Sequence, residues 1–146
     1  MKEYVVGFRI DRKSDLVLLI EKQRPAWQKG YLNGVGGNIE PGEAPLKAMV
    51  REFEEETGML VEDWENTVVL SGPGYQIYFF RSFGEIDEAK TTTDEVLIPI
   101  RLSSWNMFNI IPNLTWLIPL QLDKIDWPVV MRDTHEQEAD HVDGGK

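Results

Sequence analysis

The chain has 146 residues, 42% hydrophobic and 10% aromatic, which suits one domain around one core. Its 25 acidic and 15 basic residues leave a formal charge of -10, which argues against salt-driven binding to duplex nucleic acid but admits a small anionic substrate screened by metal ions and local cations. The absence of cysteine excludes disulfides and thiolate metal sites, and no apolar run approaches the ~20 residues of a membrane span.

The first residues, MKEYVVGFRI, enter a strand-like pattern at once and lack the anatomy of a signal peptide, so a cytoplasmic location is expected. Tyr4 to Ile10 and Leu16 to Ile20 read as strands around the turn-like stretch from Asp11 to Asp15. Residues 22 to 31 form a polar loop with Pro25, Trp27 and Gly30, and the glycine-broken LNGVGG leads on from it. Pro45 suits the first turn of a helix, where its missing N–H costs nothing. No further Gly or Pro precedes Gly58, a suitable C-cap, so a helix is expected from Pro45 to Thr57. At about 100° per residue, Leu46, Met49, Val50, Phe53 and Thr57 share its buried stripe.

Val68 to Leu70 and Gln76 to Phe83 read as strands around a turn at Gly72, Pro73 and Gly74. Ile77 to Phe80 is apolar on both faces, which predicts a central strand. Thr91 to Asp94 is a loop, and Glu95 to Leu102 a strand with Pro99 at an edge or bulge. Asn113 is the expected N-cap of a helix over 113–122 that Pro119 must kink or shorten. Residues 132–146 lack an apolar pattern and are expected to form a loose polar tail after a single domain over 1–131. His135 and His141 fall in that tail and are assigned no role. Strands, an internal helix, more strands and a terminal helix make a mixed α/β domain, whose strand-rich surface and exposed aromatics would allow a homodimer.

The chemistry concentrates on the first helix. Glu52, Glu55 and Glu56 stand at i, i+3 and i+4 and gather on one face, whereas Glu54 points away into solvent. Such carboxylates repel one another, and a hard cation such as Mg²⁺ or Mn²⁺ converts the repulsion into binding. An acidic solvated face is the plain alternative. Bare backbone at Gly36 and Gly37 lets a carbonyl oxygen approach a metal. Arg51 can pin a carboxylate such as Glu43 at two points and set the loop against the helix. Lys22 and Arg24 follow the second strand within possible reach of phosphates, although two exposed cations beside Glu21 would look the same.

Gly37, Glu43, Arg51, Glu52, Phe53, Glu55, Glu56, Gly58 and Met59 match G-x5-E-x7-R-E-U-x-E-E-x-G-U, with U an apolar residue, at every specified position. This resembles the signature of the Nudix hydrolase family. The resemblance implies an α/β/α sandwich, with a mixed sheet flanked by the signature helix and a C-terminal helix. It implies an enzyme, a nucleotide pyrophosphohydrolase that uses Mg²⁺, or Mn²⁺, to direct water at one phosphorus of a nucleoside diphosphate derivative. The matching metal ligands are Glu52, Glu55, Glu56 and the Gly36 carbonyl, with Arg51 and Glu43 orienting the loop. Glu95, in TTTDEVLIP, matches a further ligand or general base, with Asp94 the lesser candidate. Lys22 and Gly37 are the matching contacts to substrate.

The segment KGYLNGVGGNIEPGE resembles members that hydrolyse oxidised purine nucleoside triphosphates to the monophosphate and pyrophosphate. Asn33 and Asn113 match positions that read the base edge there, and an amide offers both donor and acceptor for that task. Trp116, Phe80 or Trp27 would supply a wall for the base. Each has a plainer reading: Asn33 as a turn residue, Asn113 as a helix cap, the aromatics as core. ADP-ribose, a nucleotide sugar or a dinucleoside polyphosphate remains open as substrate. So does a non-catalytic nucleotide sensor, although the full set of Arg51, Glu52, Glu55 and Glu56 speaks for catalysis.

Overall fold

The computed structural model describes residues 1–134; His135, His141 and most of the expected tail lie outside the described residues. The strands are β1 (Lys2–Asp11), β2 (Leu16–Glu21), β3 (Leu32–Asn33), β4 (Val35–Asn38), β5 (Glu65–Gly72), β6 (Tyr75–Phe83), β7 (Leu97–Arg101) and β8 (Val129–Arg132). Helix α1 covers Pro45–Thr57 and helix α2 covers Leu114–Gln121. The strands form one mixed sheet in the order β3-β2-β1-β6-β5-β8, with β4 also on β1 and β7 also on β2.

Side chains alternate across a strand, so one sheet can feed two cores. Phe8 and Ile10 of β1, Val17 and Leu19 of β2, and Phe79 of β6 pack with Leu114, Leu117 and Ile118 of α2. Their neighbours Val5, Leu18, Ile20 and Phe80 pack on the opposite face with Ala48, Met49 and Phe53 of α1. The result is a mixed sheet between two helices, the α/β/α sandwich. β6 is central as expected, parallel to β1 and antiparallel to β5.

The glycine-broken connector is the first departure from expectation, because it forms β3 and β4. β1 pairs with β2 only through Arg9, Ile10 and Asp11, while its Tyr4 to Gly7 stretch takes β4. The approach is close: a Cβ at Gly36 would sit 1.9 Å from the Val5 carbonyl oxygen. Glycine is a poor strand former, so tertiary approach decides here, not propensity.

α1 begins at Pro45 and ends at Gly58, whose φ of 76° is left-handed and whose N–H caps the Glu54 carbonyl. Its inner face is rotated from the expected stripe. Leu46 is 45% exposed and Ala48 is buried in its place. Glu52 and Glu56, four and eight residues on from buried Ala48, follow it along the same side of the helix and are themselves partly buried.

β7 begins at Leu97, leaving Glu95 in the preceding bend, and Pro99 lies on this edge strand opposite Leu18. Asn113 flanks α2 but donates and accepts no capping bond with its side chain. The C-terminal end of α2 is held by Arg81, whose Nη1 donates to the carbonyls of Gln121 at 2.8 Å and Asp123 at 2.6 Å. β8 runs parallel to β5, and the Asp133 N–H extends the ladder to the Ser71 carbonyl at 2.7 Å. Arg132 and Asp133 thus belong to the sheet and not to a tail beginning at 132. No helix among the described residues is long and apolar enough to cross a membrane.

Candidate active site

The rotated face of α1 sets the electrostatics of its glutamates. The Glu52 side chain is 13% exposed and accepts a hydrogen bond from Arg51 Nη1 at 2.9 Å. It lies against bare backbone, since a Cβ at Gly37 would meet the Glu52 carboxyl carbon at 2.5 Å. Burial pushes its carboxyl above the usual range, opposed by the Arg51 charge. Glu56 is half-buried and accepts the Thr93 hydroxyl at 2.8 Å. Burial also pushes the Glu56 carboxyl up, against the Thr93 bond, and the charges of Glu95 and Glu55 add to the rise. Glu55 is more exposed and shares Arg51 Nη1 at 3.3 Å.

Arg51 also pairs with Glu43 at two points and donates to the Asn38 carbonyl at 3.0 Å. The two hydrogen bonds from its guanidinium lower the Glu43 carboxyl to about 2. The loop after β4 is thereby fastened to the helix by one side chain.

Glu95 is buried, 4% exposed. Its carboxylate accepts the Lys22 ammonium at 3.2 Å and the Gln23 N–H at 2.8 Å, joining the loop before β7 to the loop after β2. The charge of Glu95 raises the Glu56 carboxyl and that of Lys22 lowers it. Asp94 and Arg24 pair with each other farther out, both largely exposed.

Asn33 and Asn113 stand on adjoining segments. The Leu32 N–H donates to the Asn109 carbonyl at 2.8 Å, and the Ile111 N–H donates to the Leu32 carbonyl at 2.9 Å. Asn33 Oδ1 takes the Gly34 N–H, and its amide nitrogen donates to Gln28 Oε1 at 3.4 Å. Asn113 Oδ1 is buried without a partner among the described residues. Of the aromatics expected as a wall, Trp27 is 39% exposed and Trp116 packs partly buried on the α2 side. Phe80 belongs to the α1-side core at 3% exposure and is structural.

The family model of the NUDIX domain matches residues 2–107. The chain belongs to the Nudix family. Its class is that of the Nudix pyrophosphohydrolases of nucleotide derivatives. Its structure is similar to a MutT protein from Bacillus halodurans, with a TM-score of 0.71 and 19% identity over 93% of this chain and 92% of that one. A Nudix hydrolase from Nitrosomonas europaea gives a TM-score of 0.69 at 19% identity, covering 92% of this chain and 79% of the other. The NUDIX domain of Shewanella oneidensis NrtR, in complex with ADP ribose, gives 0.70 at 13% identity, over 81% of this chain and 84% of that one. At these identities the likeness is one of fold. No curated protein matches the chain.

Among the described residues of this Nudix domain, no three acidic or histidine side chains stand as a ready metal cluster. Arg51 and Thr93 hold the carboxylates to separate partners. The donor set nevertheless fits a hard divalent cation. It consists of carboxylate oxygens, two of them half-buried against like charges, beside a Gly37 cradle that any Cβ would fill. Thr93 and Gln28 are the contacts that the sequence reading did not single out. The only signal for Thr93 was three consecutive threonines before Asp94 and Glu95.

Proposed function

We propose that this Nudix domain is a divalent-metal-dependent hydrolase of purine nucleoside triphosphates, oxidised purines included, releasing the monophosphate and pyrophosphate. The observation that carries the reading is the lodging of the Glu52 carboxylate against Gly37, beside Glu55 and Glu56 on the same helix face. Glu52, Glu55, Glu56 and Glu95, with the Gly36 carbonyl, would hold Mg²⁺ or Mn²⁺. Held there, the cation would neutralise charge on the phosphates and would lower the pKa of water.

The protein's own residues do the positioning. Arg51 and Glu43 fix the loop so that Gly36 and Gly37 present bare backbone to the cation and substrate. Lys22 supplies a local positive charge for a phosphate chain in an otherwise acidic protein. Asn33 and Asn113 Oδ1, the latter without a partner among the described residues, offer donor and acceptor groups to a purine edge. An unpaired buried acceptor is costly, and a base N–H would satisfy it. Trp27 and Trp116 remain as candidate walls.

ADP-ribose is the second reading, favoured by the likeness to the NrtR domain in complex with that ligand. The discriminating experiment is steady-state hydrolysis of normal and oxidised purine triphosphates against ADP-ribose in Mg²⁺. Higher kcat/KM for the triphosphates supports the first reading, and higher kcat/KM for ADP-ribose replaces it with the second.

A further inference from the structure

Residues 92–95 make four consecutive attachments to the segments that carry the candidate site. The Thr92 hydroxyl donates to the Glu55 carbonyl. The Thr93 hydroxyl donates to Glu56 Oε2 at 2.8 Å. Asp94 pairs with Arg24. Glu95 takes Lys22 and the Gln23 N–H. The loop before β7 therefore straps the end of α1 to the loop after β2.

Within this strap the Thr93 hydroxyl is polarised. Its oxygen accepts the Glu95 N–H at 3.1 Å, which leaves its own proton directed at Glu56. Among the described residues this is the one hydrogen bond made by the Glu56 carboxylate. That carboxylate is half-buried and repelled by the charges of Glu95 and Glu55, so without a donor it would swing toward water. Glu52 solves the same problem with a cation, Arg51, which also offsets its charge. A neutral hydroxyl fixes the Glu56 rotamer and leaves the full negative charge for a ligand.

We propose that Thr93 is a positioning residue, whose hydroxyl holds the Glu56 carboxylate in the orientation that binds the divalent cation. The proposal rests on the assignment of Glu56 as a metal ligand. Groups that orient a ligating carboxylate change metal affinity by about 10–100-fold when removed. Thr93 is exposed in a loop, so its replacement leaves both cores intact.

The test is Mn²⁺ binding to the full chain without nucleotide, followed by the electron paramagnetic resonance signal of the free ion. The parent is compared with Thr93→Val, Thr93→Ser and Glu56→Gln. We expect Thr93→Val to bind Mn²⁺ about 10–100-fold more weakly, Thr93→Ser to bind like the parent, and Glu56→Gln to be weakened at least as much as Thr93→Val. Parent-like binding in Thr93→Val beside a weakened Glu56→Gln overturns the positioning role and leaves Glu56 as a ligand. Parent-like binding in Glu56→Gln overturns the ligand assignment and the proposal with it. Equal losses in the valine and serine variants overturn the role of the hydroxyl.

Discussion

Arg51 grips Glu43 at two points, Nε to Oε2 at 2.8 Å and Nη2 to Oε1 at 2.9 Å, while its Nη1 reaches Glu52 at 2.9 Å. One planar guanidinium thus serves a loop carboxylate and a helix carboxylate in the same geometry, a task for which a lysine ammonium has no equivalent fork. The loop carrying Gly36 and Gly37 is set against α1 by this side chain.

The Glu43 pairing gives stability a signed pH dependence. Its folded pKa of about 2 lies below the ordinary 4.5, so the unfolded chain takes up the proton first as pH falls. The stabilisation is present above pH 4.5 and is lost as pH falls toward 2. Glu52 and Glu56 are shifted upward, so acidification relieves their burial and acts in the opposite direction. The difference in urea stability between the parent and Glu43→Gln isolates the Glu43 part. It is expected to be on the order of 1 kcal/mol at pH 7, allowing for solvent screening, and to shrink below pH 4. A gap that widens on acidification would contradict the assignment.

Two neighbouring glycines are expected to fail in different ways. At Gly36 an added Cβ meets the Val5 backbone oxygen at 1.9 Å, so Gly36→Ala must part β4 from β1. Destabilisation of about 3 kcal/mol is expected from such a backbone clash. At Gly37 the Cβ meets the Glu52 carboxylate, which is the end of a side chain and can move. Gly37→Ala should keep most of its thermal stability and lose activity. Thermal midpoints and kcat of the two variants check this, and an unfolded Gly37→Ala with a stable Gly36→Ala would reverse it.

The phase of α1 predicts a contrast between adjacent glutamates. Glu55→Gln removes one charge from the candidate ligand face and should lower kcat by about 100-fold or more at saturating metal. Glu54 is exposed and makes no side-chain hydrogen bond or ion pair among the described residues, so Glu54→Gln should change kcat by less than about twofold. Comparable losses in both would mean that general acidity of the helix, not the Glu52, Glu55 and Glu56 face, supports turnover.

For the base edge, Asn33→Ala and Asn113→Ala should change the ratio of kcat/KM between normal and oxidised purine triphosphates. Lost polar contacts to a substrate discriminate between bases, whereas lost packing slows all substrates alike. A uniform decrease across the panel would mark both asparagines as structural.

α1 was legible in the sequence because its limits have local causes: Pro45 opens it, and Gly58 stops it with a left-handed residue. The spacing of Arg51, Glu52, Glu55 and Glu56 was equally local. β3 and β4 were not legible, since a glycine-rich strand is defined by how closely β1 can approach it. β8 escaped for another reason: all four of its residues are exposed, so no alternation betrays it. The rotation of the inner face of α1 toward Ala48, with Glu52 and Glu56 partly buried on the same side, depends on packing against the sheet and not on local sequence. The partner of Glu56 is 37 residues away in sequence, and no spacing rule connects it to Thr93.

The most direct measurement is chromatographic detection of the nucleotide products, with pyrophosphate release followed alongside, in Mg²⁺ from normal and oxidised purine triphosphates, ADP-ribose, nucleotide sugars and dinucleoside polyphosphates, with Glu55→Gln as the blank. We expect pyrophosphate from purine triphosphates, removed in the blank and by chelation of the metal. No turnover of any substrate, with metal-dependent nucleotide binding intact, would contradict catalysis at this helix.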